Sequence, residues 1–134
     1  LKAFYNYRPS CFTIYIDQTK KEVQNLYNLA IGKTFHIASG IKVNHCLTEQ
    51  DQQLYNLFVK DLHVWQLPEV LKTLYSGQKI KNNSIVQLEY GTKIEVYGNQ
   101  QNPEVECDGD PIGYLPCKIK QADDKLDLIC EFGN

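Results

Sequence analysis

The chain has 134 residues, 43% of them apolar and 22% charged, which is the length and composition of one folded domain rather than of a disordered segment. A formal charge of −2, with scattered lysines of which only Lys20 and Lys21 are adjacent, gives no net positive field and argues against a nucleic-acid partner. Five cysteines without C-x-x-C spacing favour neither a disulfide framework nor structural zinc and fit reduced thiols, and no apolar run approaches the roughly 20 residues of a bilayer span. With no signal-peptide pattern at the start, the expectation is a cytoplasmic protein that meets membranes only peripherally, through apolar side chains rather than a basic patch.

The first residues, "LKAFYNYRP", lack an initiator Met and place Leu1, Phe4 and Tyr5 at helical spacing until Pro9. This predicts the last turns of a truncated helix and a chain that is a piece of a longer polypeptide. "CFTIYIDQTKKE" then alternates Phe12, Ile14 and Ile16 against Thr13, Tyr15 and Asp17, a half-buried strand entering a hairpin. Further β-rich runs follow through Val23, Leu26, Leu29 and Ile31, through "SGIKVNHC" and through "QLYNLFVKDLHVW", with Gly32 and Gly40 as breaks.

One segment carries a helical pattern. Leu67, Val70, Leu71 and Leu74 form an i, i+3, i+4, i+7 stripe, Pro68 falls in the first turn and Gly77 suits the C-cap, so a short amphipathic helix is predicted over Leu67–Ser76. "SIVQLEYGTKIEVYG" gives two alternating strands about Tyr90-Gly91, and "KLDLICEFG" a closing strand with Leu126, Leu128 and Cys130 on one face. The fold class expected is mainly β: an antiparallel β-sandwich over residues 1–134 with one short helix and the truncated N-terminal one.

Between those strands lies "EVECDGDPIGYLPCKI". Asp108-Gly109 is a strong hairpin signal, because a type I′ turn needs positive φ at both central residues. The turn accounts for Asp108 and Gly109 but does not require Asp110. Residue types alone leave two accounts open: a solvated acid beside a turn, or a paired carboxylate site holding a cation or accepting a proton. Elsewhere, His45 and Cys46 with Asp51 offer a potential metal site, although neighbouring strand residues face opposite sides. His36 and His63 stand alone and suit ordinary hydrogen bonding, and Trp65 with the nine tyrosines suits core and sandwich edge or the lining of an acyl pocket.

Taken in order, the helix ending in Tyr-Arg-Pro, "NLAIGKTFHIASGIKV", "LFVKD", "LPEVLKTLYSGQ", "VQLEYGTKIEV" and "VECDGDPIGYLPCKI" resemble the C-terminal domain of the diacylglycerol kinase-like lipid kinases, which include bacterial diacylglycerol kinases and sphingosine kinases. The resemblance implies a two-domain kinase that phosphorylates a lipid hydroxyl. ATP and Mg²⁺ are then held mainly by an N-terminal nucleotide-binding domain, whose Gly-Gly-Asp-Gly signature does not occur in this chain. It implies Asp110 as the acid facing the lipid hydroxyl, Asp108 as its support, and Asp51 as the survivor of an acidic metal loop. It further implies a lipid substrate, the kinase domain of the same polypeptide as partner, and leaves a homodimer open.

The chain departs from the family pattern in three places. Asp110 stands where Glu is usual, "VNHCLTEQDQQLYN" replaces a loop with paired acids and glycine, and Ile31 and Lys33 flank Gly32 where Asn-Gly is common. An inactive lipid-binding or interaction module of the same ancestry, and an unrelated β-sandwich binding domain, are therefore carried as alternatives to an active kinase.

Overall fold

The computed structural model describes residues 10–37, 40–99 and 103–123. The helix expected at residues 1–9 and the strand expected at residues 125–133 lie outside the described residues. Among the described residues ten strands follow one another as β1 (Ser10–Ile16), β2 (Thr19–Gly32), β3 (His36–Ile37), β4 (Ile41–Lys42), β5 (Leu54–Lys60), β6 (Val86–Gly91), β7 (Lys93–Gly98), β8 (Glu104–Cys107), β9 (Asp110–Tyr114) and β10 (Cys117–Lys120). One helix, α1 (Leu67–Ser76), stands between β5 and β6, with the bounds its apolar stripe predicted.

Six strands form one antiparallel sheet in the order β10-β7-β1-β2-β5-β6. Strand β2 has 14 residues and supplies both halves of that sheet. Its pairing with β5 slips between Leu26 and Asn28, and Asn25 takes a positive φ of 50° beside the slip, so the strand bends there. Asp61, also left-handed, fastens the bend: its N–H donates to the Asn25 carbonyl (3.0 Å) and its Oδ1 accepts from Asn25 Nδ2 (2.8 Å).

The bent sheet encloses two cores. Phe12, Ile14, Ile16, Val23, Ile94 and Val96 from the first half meet Leu54 and Phe58 from the second. On the other face of β5, Tyr55, Leu57 and Val59 pack with Val70 and Leu74 of α1. Strand β5 is therefore apolar along nearly its whole length, buried on both faces, which a period-two pattern does not show. Each such buried side chain contributes about 1.5–3 kcal/mol relative to exposure. Asn56 lies within that strand, fully buried, with its Nδ2 directed at the Leu54 carbonyl (3.4 Å).

Strands β6 and β7 are the two strands predicted about Tyr90-Gly91, and they do not pair with each other: β6 bonds β5 and β7 bonds β1 and β10. The chain instead crosses from one half of the sandwich to the other at Gly91-Thr92. The crossing is tied to the β1–β2 turn, where Asp17 Oδ1 accepts from the N–H groups of Thr92 (2.8 Å) and Lys93 (3.0 Å) and from the Thr92 hydroxyl. These bonds, that from the Thr92 hydroxyl first, hold the Asp17 carboxyl below its usual range. Lys21 and Glu89 form an ion pair across the same gap. At the open edge of β6, the Asn82 side chain bonds both the N–H (2.8 Å) and carbonyl (3.2 Å) of Leu88, blunting that edge against another chain.

Candidate functional site

Strands β8 and β9 make a separate two-stranded hairpin. Asp108 and Gly109 have φ of 53° and 89°, the two positive angles that the Asp-Gly signal predicts. Cys107 pairs with Asp110 and Glu106 with Pro111, but Val105 pairs with Gly113, so Ile112 is the extra residue of a bulge. Cross-strand partners share a face, which places Asp110 and Gly113 on the side of Val105 and sets Tyr114 with Glu104 on the other. Without the bulge, Asp110, Ile112 and Tyr114 would share one face.

Val105 and Leu115 pack against the first core, anchoring the hairpin's base, while Asp108, Gly109 and Asp110 at its tip are exposed. Among the described residues neither Asp108 nor Asp110 has a side-chain hydrogen bond or ion pair. Ile112 and Tyr114 are 66% and 67% exposed. The two acids flank the reversal of the chain, one in the turn and one at the start of β9.

Asp51 lies elsewhere, in the loop before β5. Its Oδ2 accepts from the Thr48 N–H (2.6 Å) and hydroxyl (2.8 Å), and these bonds hold its carboxyl below the usual range. The Lys33 ammonium donates to the main-chain carbonyls of Glu49 (3.0 Å) and Asp51 and to Gln121 Oε1 (3.1 Å), so a cation is already built into this loop. A lysine directly after the strand-ending Gly32 was the available signal, and only the fold shows what its ammonium reaches.

The three histidines differ in setting. His45 is buried, stacked on Phe35 (4.3 Å) and tilted against Tyr55 (5.2 Å), and its Nδ1 accepts from the Leu47 N–H (3.1 Å). Cys46 beside it is exposed while His45 is buried, so the two side chains do not converge. His36 and His63 are exposed. Trp65 is not a core residue: it is 75% exposed and stacks on His63 (4.5 Å). Among the described residues no three His, Cys, Asp or Glu side chains converge as a metal site would need.

On the outer face of β1 and β7, an open groove of about 380 Å³ is lined by Tyr15, Asp17, Lys20, Glu95 and Tyr97. Bonds from Lys93 and the Tyr97 hydroxyl (2.7 Å) push the Glu95 carboxyl down to about 2. None of the acids predicted from the sequence lines this groove.

A family model described as the YegS C-terminal NAD kinase beta sandwich-like domain matches residues 1–130. The chain belongs to this family. Three solved structures share the fold of this YegS C-terminal domain, all from Bacillus anthracis str. Sterne and all assigned as diacylglycerol kinases. The first has a TM-score of 0.66 at 19% identity and the second 0.63 at 16%. They cover 86% and 89% of this chain, which in turn spans 39% and 42% of theirs, about two-fifths of their length. The third has a TM-score of 0.62 at 18% identity, covering 86% of this chain and 37% of its own. Comparison with curated proteins gives no match. No helix among the described residues is long and apolar enough to cross a membrane.

Proposed function

We propose that this YegS C-terminal domain is the lipid-substrate half of an ATP-dependent kinase that phosphorylates the hydroxyl of diacylglycerol or a related lipid. The observation that carries this is the hairpin tip: Asp110 is held on a type I′ turn anchored through Val105 and Leu115, yet makes no structural bond among the described residues. Phosphoryl transfer asks of the protein mainly an aligned acceptor oxygen, charge neutralisation and a late proton acceptor. In this reading Asp110 accepts the hydroxyl proton and Asp108 fixes the turn.

In this reading ATP and Mg²⁺ are held by an N-terminal nucleotide-binding domain of the same polypeptide. The described residues do not fit a metal of their own. Asp108 lies in the turn and Asp110 at the start of β9 with no third ligand beside them, and the Asp51 loop already contains the Lys33 ammonium. We therefore assign Asp51 a loop-holding role through Thr48 rather than that of a metal ligand. That same ammonium favours a second reading, an inactive lipid-binding module that has exchanged a metal loop for a lysine.

Steady-state phosphorylation of diacylglycerol by the polypeptide including its nucleotide-binding domain separates the two. Asp110→Asn should lower kcat about 10²- to 10⁴-fold with little change in lipid KM, and Asp108→Asn should cost less. Asp110→Glu should keep or raise activity. An Asp110→Asn variant as active as the parent would remove the proton-acceptor role, and a parent without activity would favour the inactive module.

A further inference from the structure

Helix α1 has two apolar flanks, and only one is covered. Val70 and Leu74 face the second core. Val64, Pro68, Leu71 and Tyr75 recur at i, i+4, i+7 and i+11 along the preceding 3₁₀ turn and the helix, a single strip. This strip is open: Val64 is 37%, Leu71 40% and Tyr75 51% exposed, and the strip begins beside Trp65 at 75%.

The fold also gathers charge there that the sequence keeps apart. Lys72 borders the strip on the helix itself. The Lys42 side chain lies against Gly77 at the helix end, 3.0 Å from where a β-carbon would stand, and Lys79 bridges to Asn44 beside it. Among the described residues none of these three lysines makes an ion pair, nor do Lys60 and Lys81, whereas Lys20, Lys21, Lys93, Lys118 and Lys120 on the sheet do. Between Leu62 and Leu88 the sequence has one acid, Glu69.

We propose that this flank of α1 docks the domain onto an anionic lipid bilayer, with Trp65, Leu71 and Tyr75 entering the headgroup region and Lys42, Lys72 and Lys79 meeting lipid phosphates. Trp and Tyr favour that boundary because each has an apolar body and a polar tip, and an amphipathic helix lying in the interface buries such a strip. Protein interfaces are enriched in the same aromatics but depleted in lysine, so unpaired lysines bordering the strip select lipid over a protein surface. The sequence shows no basic patch because 30 residues of chain separate Lys42 from Lys72. The surface deepens the kinase reading, on which its purpose rests, by orienting the domain at the membrane that contains the substrate.

Trp65 is the chain's single tryptophan, so its fluorescence reports this surface directly. The test is titration of the chain with phosphatidylcholine vesicles containing increasing phosphatidylglycerol, with neither nucleotide nor diacylglycerol present. Trp65 emission should shift to the blue and be quenched by brominated acyl chains, with affinity rising with phosphatidylglycerol and falling with salt. Lys42→Gln, Lys72→Gln and Lys79→Gln should each weaken binding about five-fold, and Leu71→Asn with Tyr75→Ser should abolish it, while Lys118→Gln on the sheet leaves it unchanged. Circular dichroism should show every variant folded, since these side chains are exposed. An unmoved Trp65 emission at saturating phosphatidylglycerol, binding equal on pure phosphatidylcholine, or binding that leaves Trp65 unquenched overturns the proposal. Each of those results leaves the Asp110 assignment standing, and loss of that assignment leaves vesicle binding untouched.

Discussion

Replacing Gly91 by alanine should destabilise the domain by overpacking, because a β-carbon there would stand 2.4 Å from Ile16 Cγ2. Carbon atoms in contact sit about 3.5–4.0 Å apart, so more than 1 Å of movement is needed. Ile16 has little room to give: it is 6% exposed in the core between the sheet halves, and its strand is paired on both sides. Gly91 lacks the positive φ that would add backbone strain, so the cost is steric and about 1–3 kcal/mol. For a domain of this size that is a fall of roughly 4–12 °C in Tm, measurable by thermal or urea unfolding. The specific check is Ile16→Leu, which moves the branch off the β-carbon and deletes Cγ2. Alone it should cost under about 1.5 kcal/mol, and combined with Gly91→Ala it should recover at least about 1 kcal/mol beyond additivity. A stable Gly91→Ala, or additive single effects, would show that the crossing between β6 and β7 is not packed against Ile16.

Lys33→Met should remove the ammonium that joins Glu49, Asp51 and Gln121, lowering unfolding free energy by about 1.5–3 kcal/mol and speeding amide exchange in the loop before β5. Glu95 should contribute to acid sensitivity. Its carboxyl, ordinarily near 4.5, is held at about 2 by Lys93 and Tyr97, so its stabilisation is present above about pH 4.5 and fades as pH falls toward 2. In Glu95→Gln the slope of unfolding free energy against pH should flatten in that window, and an unchanged slope would show the bonds to be no stronger in the folded chain.

The elements with one buried face were legible because their pattern follows from that burial. Strand β1 shows it in Phe12, Ile14 and Ile16, and α1 in Val70 and Leu74, closed by Gly77 at φ 65°. Pairing was less so. Nothing local distinguishes Gly91-Thr92 from a hairpin turn, since the decisive bonds run to Asp17, 75 residues away. Trp65 looked like core because large aromatics usually are, and its exposure follows from the 3₁₀ turn that presents it ahead of α1. What the Lys33 ammonium reaches, and that Lys42 lies at the end of α1, were not legible for a shared reason: each contact joins residues far apart in the chain.

The hairpin has residues that the fold uses and others, Asp110 among them, that it does not. Asp108 takes the left-handed angle that the turn needs, and Gly109 the second such angle. Gly113, at φ 153°, allows the bulge that shifts Ile112 out of register, and Val105 and Leu115 fix the base. Asp110 does none of this: a threonine or asparagine would start β9 as well, and an exposed carboxylate two positions after Asp108 adds repulsion without a compensating bond among the described residues. A side chain that the turn, the bulge and the core all leave unused, on the face that Cys107 shares with Val105, is available for the role proposed above. In the kinase reading proposed above, the acceptor hydroxyl is the occupant that would match a carboxylate on a fixed support.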